Sequence, residues 1–136
     1  MSDFNQATID EFRANDGKVG GYFAGANMLL LHTIGAKSGQ PRTNPMVYVT
    51  DGDRLVVIAS KGGDDRNPDW YYNLLANPNV TVELGSEKFQ ARATAVTAEP
   101  ERSRLYAKMV EHRSGFADYE QKTSRKIPAI VLERLE

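Results

Sequence analysis

Apolar and polar positions alternate most regularly in two stretches, Thr43 to Thr50 and Arg54 to Ala59, which flank Asp51-Gly52-Asp53. Glycine between two aspartates is a strong turn signal, and the β-branched flanks complete the pattern of a hairpin. With Gly52 at the turn centre, strand partners have residue numbers that sum to about 104, which sets Thr43 opposite Lys61. Pro45, Val47, Val49, Leu55, Val57 and Ala59 then share a core face. Asn44, Met46, Tyr48, Val56, Ile58 and Ser60 share the other, whose apolar bodies and polar tips suit a flat ligand.

The same patterning divides the rest of the chain. Residues 3 to 14 predict a helix with Phe4, Thr8, Ile9 and Phe12 along one stripe. Gly17, Gly20, Gly21 and Gly25 mark 15–26 as a loop, whose Tyr22-Phe23 pair either covers a pocket or anchors the loop to the core. Asn27 to Ile34 reads as a buried strand. Asn67-Pro68-Asp69 starts a helix, with Asn67 as N-cap and Pro68 at the first helical position, and Trp70, Tyr71, Leu74 and Leu75 form its apolar stripe beside Asn73. Asn77-Pro78 ends it.

Val80 to Leu84 and Glu87 to Val96 predict a second hairpin about Gly85-Ser86, with Phe89, Ala91, Ala93 and Ala95 on one face. Glu99-Pro100-Glu101 opens a helix to His112 that buries Leu105, Tyr106, Met109 and Val110; a short segment, Phe116 to Lys122, and a strand, Ile127 to Leu132, follow. About six strands joined mainly by hairpins predict an α+β fold, an antiparallel barrel or strongly coiled sheet with helices at its ends.

At 136 residues the chain is expected to be one domain, 1–136, of which 1–26 supply the N-terminal helix and glycine-rich loop. A net charge of −1 argues against a nucleic-acid binder. The absence of cysteine excludes disulfides, thiolate catalysis and cysteine-held metal. The start carries no secretory pattern, and the longest apolar run, Met28 to Leu31, is too short to span a bilayer, so the chain reads as cytoplasmic. Peripheral contact of the N-terminal helix with the inner face of the membrane is a second reading, weakened by Asp10 and Glu11.

Charge is nevertheless concentrated. Lys37, Arg42 and Lys61 collect at one end of the predicted hairpin, in Gly35-Ala36-Lys37-Ser38-Gly39-Gln40-Pro41-Arg42 and Ser60-Lys61-Gly62-Gly63, whereas Asp51 and Asp53 lie at the other. Cations beside glycines let backbone N–H groups approach a ligand closely, which makes a cradle for phosphate or carboxylate; two ordinary solvated turns would look the same, and P-loop spacing is missing. The N-terminus of the helix after Asn67 falls close by and could add its free N–H groups.

Catalytic residues of other classes are scarce. His32 and His112 have no metal-ligand spacing, so no metal site is expected, and His32 reads as a partly buried hydrogen-bonding residue. Ser38 and Ser60 sit beside lysines without a histidine base or a nucleophile elbow. An anion cradle next to an amphipathic sheet face, with few acid–base groups, is the profile of a protein that positions a cofactor.

The residues also resemble a known family. Gly35-x-Lys37-Ser38-Gly39-x-Pro41-Arg42-Thr43, Pro45-Met46-x-Tyr48, Ala59-Ser60-Lys61-Gly62-Gly63 and Asn67-Pro68-x-Trp70-Tyr71-x-Asn73-Leu74-x-Ala76-Asn77-Pro78 are similar, in that order, to the deazaflavin-dependent nitroreductases. The resemblance implies a mainly antiparallel split β-barrel of the pyridoxamine-phosphate-oxidase-like, FMN-binding type with flanking helices, holding coenzyme F420. It implies contact with the phosphate and acidic tail through Lys37, Arg42 and Lys61. Cofactor positions carried over with them are Ser38, Gly39, Thr43, Pro45, Met46, Val47, Tyr48, Ala59, Ser60, Gly62, Gly63, Asn67, Pro68, Trp70 and Asn73.

Such an enzyme passes a hydride from reduced F420 to an electron-poor acceptor, a quinone or a nitroaromatic or nitroimidazole compound, and no residue acts as nucleophile. Candidate substrate or proton-relay contacts are Ser60, Tyr48, Phe116 and Tyr119; Phe116 stands where related members carry tyrosine, which removes a hydroxyl. FMN, or haem, in the same barrel and a non-catalytic F420 carrier are the other readings. A monomer and a homodimer are equally compatible with the sequence.

Overall fold

The computed structural model describes residues 3–21 and 24–135, with the side chains of residues 3–5 outside that description; the expectations for Phe4 and for Tyr22-Phe23 fall there. The elements are α1 (Asp3–Ala14), β1 (Met28–Ile34), β2 (Pro41–Val47), β3 (Val49–Asp51), β4 (Arg54–Ile58), a 3-10 turn (Lys61–Gly63), α2 (Asp69–Ala76), β5 (Asn79–Leu84), β6 (Glu87–Val96), α3 (Glu101–His112), α4 (Gly115–Lys122) and β7 (Ala129–Arg134). The strands form one sheet in the order β2-β1-β5-β6-β7-β4-β3, with every pairing antiparallel.

The two outermost strands, β2 and β3, are consecutive in the chain and separated only by Tyr48. One continuous segment therefore joins both edges, and the sheet curls into a split barrel. This corrects the first predicted hairpin. Residues 41–47 pair with β1, Thr43 facing His32, and only 49–51 pair with β4. Tyr48 donates its N–H to the Asn27 carbonyl at 3.0 Å, finishing the β1 ladder before the chain turns the corner. The expected run of about six strands becomes seven because this corner splits one predicted strand in two.

The register also differs by one residue. Val49 faces Val56 and Asp51 faces Arg54, so the turn has two central residues, Gly52 and Asp53, with Gly52 at φ +62°. Primed two-residue turns match strand twist, and glycine supplies the left-handed backbone they require. The predicted faces regroup accordingly. Val47, Val49, Val56 and Ile58 belong to one buried cluster, and Met46, Tyr48, Leu55, Val57 and Ala59 to the other. Val56 and Ile58 are thus core residues rather than a ligand platform.

Both faces of the barrel wall are covered. The inner cluster is built from Leu29 and Leu31 of β1, Val80 and Val82 of β5, Ala91 and Ala93 of β6 and Ile130 and Leu132 of β7, and Tyr71 and Leu74 of α2 join it. The outer cluster lies under Ile9 and Phe12 of α1 and Leu105, Tyr106 and Met109 of α3. In α2 the stripe is narrower than predicted: Leu75 is 51% exposed, while Asn73 is buried.

Two ion-pair groups tie helices to this wall. Asp51 accepts from Arg54 and, in bidentate fashion at 2.9 Å, from Arg104 of α3, and the two guanidinium groups hold its carboxyl well below the usual carboxylate range. Glu83 of β5 accepts from Arg13 of α1 at 2.8 Å and contacts His32 Nε2 at 2.5 Å. Those partners, Arg13 first, hold the Glu83 carboxyl down to about 2.

A carboxylate with a lowered folded-state pKa contributes stability that is full above its unfolded value and lost as pH falls through the folded one. Because Arg13 is 48% exposed, screening limits the contribution to about 1 kcal/mol. In urea unfolding, Glu83→Gln is expected to be less stable than the parent at pH 6. The two curves should converge as pH drops from about 4.5 toward 2. A gap that persisted at the acid end would show that packing, not charge, had been lost.

Candidate functional site

Antiparallel pairing brings the end of β1, the start of β2 and the end of β4 to one end of the barrel, so both glycine-containing loops emerge together. In the first loop Gly35 N–H donates to Gln40 O at 2.8 Å and Gly39 N–H to Gly35 O at 2.9 Å, while Ser38 Oγ accepts from Gln40 N–H at 3.2 Å. A side chain at Gly35 would collide with Ser38 Oγ, whereas nothing lies within 4 Å of one at Gly39, which is left-handed at φ +70°. Gly35 thus closes the loop, and Gly39 leaves open space beside Lys37.

Asn73 joins this loop to α2. Its Oδ1 accepts from the N–H of exposed Ala36 at 2.9 Å, and its Nδ2 donates to Thr33 Oγ1 at 3.1 Å, the latter a buried contact. Asn67 does not cap α2 as expected. Its Oδ1 instead accepts from Arg125 Nη1 at 2.6 Å, and Pro68 occupies the cap position without a side-chain bond.

Arg125 governs the second loop, and no local sequence pattern singles it out. Besides Asn67, its guanidinium donates to the carbonyls of Ala59 at 3.2 Å, Ser60 at 2.9 Å and Asp64 at 2.9 Å from Nη2 and 3.1 Å from Nε. Thr123 adds a 2.7 Å bond to Asp65. Within the turn these contacts hold, Lys61 has φ +47°, a left-handed conformation that costs a residue with a Cβ on the order of 1 kcal/mol or more. Gly63, at φ +88°, packs so closely on α4 that a Cβ would lie 3.0 Å from Tyr119 O.

Among the described residues, Lys37, Arg42 and Lys61 make no side-chain hydrogen bond or ion pair, whereas Arg13, Arg54, Arg102, Arg104, Arg125 and Arg134 all do. Three cations free of ion pairs, of which Lys61 alone feels a nearby carboxylate, that of exposed Asp64, fit an extended anion beside the open space at Gly39. Thr43 is spoken for in the sheet: its hydroxyl lies 3.0 Å from His32 Nδ1. With Glu83 against Nε2 and Thr43 against Nδ1, both ring nitrogens of His32 have a hydrogen-bond partner. His32 is the partly buried hydrogen-bonding residue that was expected.

The remaining candidates fall into two groups. Met46, Tyr48 and Trp70 pack on the inner cluster with Ala59. Burial pushes the Tyr48 phenol up, so it stays a donor at neutral pH, and its hydroxyl has no partner among the described residues. Val47, Phe116 and Tyr119 instead line a cavity of about 350 Å³ with His112, Arg113, Ser114 and Gly115. Phe116 and Tyr119 meet edge to face, with ring centroids 5.1 Å apart. Tyr106 fixes the start of α4 through a 2.6 Å bond to Phe116 O. Ser60 is 9% exposed, and the bond from Arg125 falls on its backbone carbonyl.

β2 connects the two ends of this arrangement. Arg42 stands near its start and Val47 at its end, about 17 Å apart for five extended steps. Among the described residues there is no cluster of three or more residues able to hold a metal ion.

Comparison with known proteins matches residues 5–134 to the family described as F420H(2)-dependent quinone reductase. A Mycobacterium tuberculosis protein named F420H(2)-dependent quinone reductase is 43% identical over 126 residues, covering 90% of this chain and 85% of that one. Among solved structures, one described as a domain-swapped dimer is 35% identical with a TM-score of 0.72, over 94% of this chain and 93% of the other. An F420-H2 dependent reductase is 37% identical with a TM-score of 0.71, over 79% and 94%. A haem storage protein of Vibrio cholerae, at 18% identity and a TM-score of 0.63 over 96% and 90%, shares the fold alone.

Proposed function

The chain belongs to the F420H(2)-dependent quinone reductase family, and from that premise we propose that it lays coenzyme F420 along β2 and reduces a quinone in the cavity beside Val47. The observation that carries the reading is the set of three unpaired cations, Lys37, Arg42 and Lys61, at the loop end of a strand whose other end opens on that cavity. The coenzyme's phosphate and acidic tail suit the cations, and its ring suits the cavity end. When bound, reduced F420 supplies the hydride. Gly39, Ser60, Gly62 and Gly63 shape the approach; Pro45, Met46, Asn67, Pro68, Trp70 and Asn73 hold the surrounding wall.

The protein's own work is binding, orientation and exclusion of water. Tyr48 and Ser60 offer hydroxyl donors, and Tyr119 with Phe116 forms the wall against which a flat acceptor packs. Nitro compounds are a second acceptor class, in which Phe116 gives no hydroxyl. We read residues 1–136 as one cofactor-binding domain with a cytoplasmic site of action. Among the described residues no helix is long and apolar enough to cross a membrane. Ile9 and Phe12 of α1 are committed to the core, so contact with the membrane would use the other face of that helix; liposome pelleting reads it directly.

Fluorescence titration of the purified protein with F420 and with FMN tests the cofactor, and steady-state turnover with menadione tests the reaction. Tight F420 binding, weak FMN binding and quinone-dependent oxidation of reduced F420 are expected. A preference for FMN would overturn the cofactor assignment, and F420 binding without turnover would make the protein a carrier.

A further inference from the structure

We propose that His112 is the hydrogen-bond donor that holds and polarises the carbonyl oxygen of the quinone. This rests on the reading of the cavity at Val47, Phe116 and Tyr119 as the acceptor site. The starting observation is a backbone contact: Asn27 N–H donates to His112 Nε2 at 3.0 Å. A ring nitrogen that accepts a hydrogen bond carries no proton, so the neutral imidazole has its proton on Nδ1. Nδ1 has no partner among the described residues, and His112 is one of the residues that line the cavity. One committed donor with nothing to donate to therefore borders the space in which an acceptor would lie.

The fold fixes that donor. His112 is the last residue of α3, whose end is closed by Arg113 N–H to Met109 O at 2.8 Å. The chain then turns through Ser114 into α4, which supplies Phe116 and Tyr119. Asn27 precedes β1, and its carbonyl accepts from Tyr48 N–H, so the residue that orients the imidazole is itself held by the corner between β2 and β3. Ring, wall and cavity share one rigid junction.

The chemistry needs such a group. Hydride addition to a quinone delivers two electrons and one proton, leaving oxidised F420 and a hydroquinone monoanion with its charge on oxygen; a proton from water then completes the hydroquinone. A donor already aimed at that oxygen stabilises the charge as it forms. His112 keeps its Nδ1 proton throughout, because giving it up would create an imidazolate, so it acts by hydrogen bonding and solvent provides the proton.

The test combines nuclear magnetic resonance of the coenzyme-free protein with variant kinetics. Long-range proton–nitrogen correlation should show His112 protonated on Nδ1, and saturating menadione should shift Nδ1 together with the Val47 methyl signals. His112→Phe should retain F420 affinity and lose about 10–100-fold in kcat/KM for menadione, with His112→Gln recovering part of the loss. A proton on Nε2, an unmoved Nδ1 while the Val47 signals shift, or an unchanged kcat/KM in His112→Phe would each overturn the proposal. Failure of F420 binding in the parent protein would sink the cofactor reading instead, and the menadione titration would still report on His112.

Discussion

Arg125→Ala is expected to lower the midpoint of thermal unfolding by about 10 °C and to weaken F420 binding by more than tenfold, although Arg125 lies far in sequence from either glycine loop. The side chain donates to the Ala59, Ser60 and Asp64 carbonyls and to Asn67. Ala59 is fully buried and Ser60 nearly so, so truncation strands acceptors where water reaches them poorly. Charged hydrogen bonds lost from buried partners cost about 3 kcal/mol in total, which corresponds to about 10 °C for a chain of this size.

Binding should fall with stability for a separate reason. The Lys61 backbone stands in a left-handed conformation inside the segment that Arg125 braces, and without the brace that turn is free to relax. Arg125→Lys separates the effects of charge and fork. It keeps the cation but replaces a planar five-donor group by a point charge, so most of the loss should remain. Differential scanning calorimetry and F420 titration measure the two quantities. Wild-type affinity in Arg125→Ala, after correction for any unfolded fraction, would show that the turn holds its shape unaided.

Arg125 also marks the limit of what the sequence discloses. Strand positions were legible because alternation has a period of two, and Gly52 and Gly85 both turn hairpins with positive φ. Strand partners were not. The run through Tyr48 has one pattern, yet its two halves pair with β1 and β4 at opposite edges of the sheet. Alternation assigns faces, and in a barrel wall buried on both sides it does not say which face is inner; Val56 and Val57 are equally inaccessible. The one-residue error in register followed from reading Gly52 as the centre of a three-residue turn.

The candidate site divides in the same way. Lys37, Arg42 and Lys61 could be named because they sit beside glycines in short loops, a local signal. Asn67 was misread because an Asn-Pro-Asp sequence has the form of a helix start, while the partner that claims its side chain comes from 58 residues away. His112 has no metal-ligand spacing and no other local signal in the sequence. Its significance depends on the Asn27 N–H, a contact across 85 residues.

Lys61→Ala and Lys61→Gly are expected to weaken F420 binding about 10–150-fold while leaving the fold intact, the loss of one charge-assisted contact of about 1.5–3 kcal/mol. Lys61 is exposed and makes no side-chain hydrogen bond or ion pair among the described residues, so all the fold loses with its charge is a solvent-screened attraction to the exposed carboxylate of Asp64. Its backbone goes further, because φ +47° is a conformation that glycine accepts freely and lysine does not. Lys61→Gly should therefore be as stable as the parent or more so, by up to about 1 kcal/mol, even as affinity drops. Denaturant unfolding and F420 titration at two salt concentrations read both sides, and the parent should lose more affinity to added salt than either variant. A Lys61→Gly protein that bound F420 as tightly as the parent would remove the ammonium from the site. One that was less stable would mean the lysine stem holds the turn in place. Stability retained or raised with binding lost would identify a strained lysine kept for its ligand, with the strain borne by the Arg125 brace.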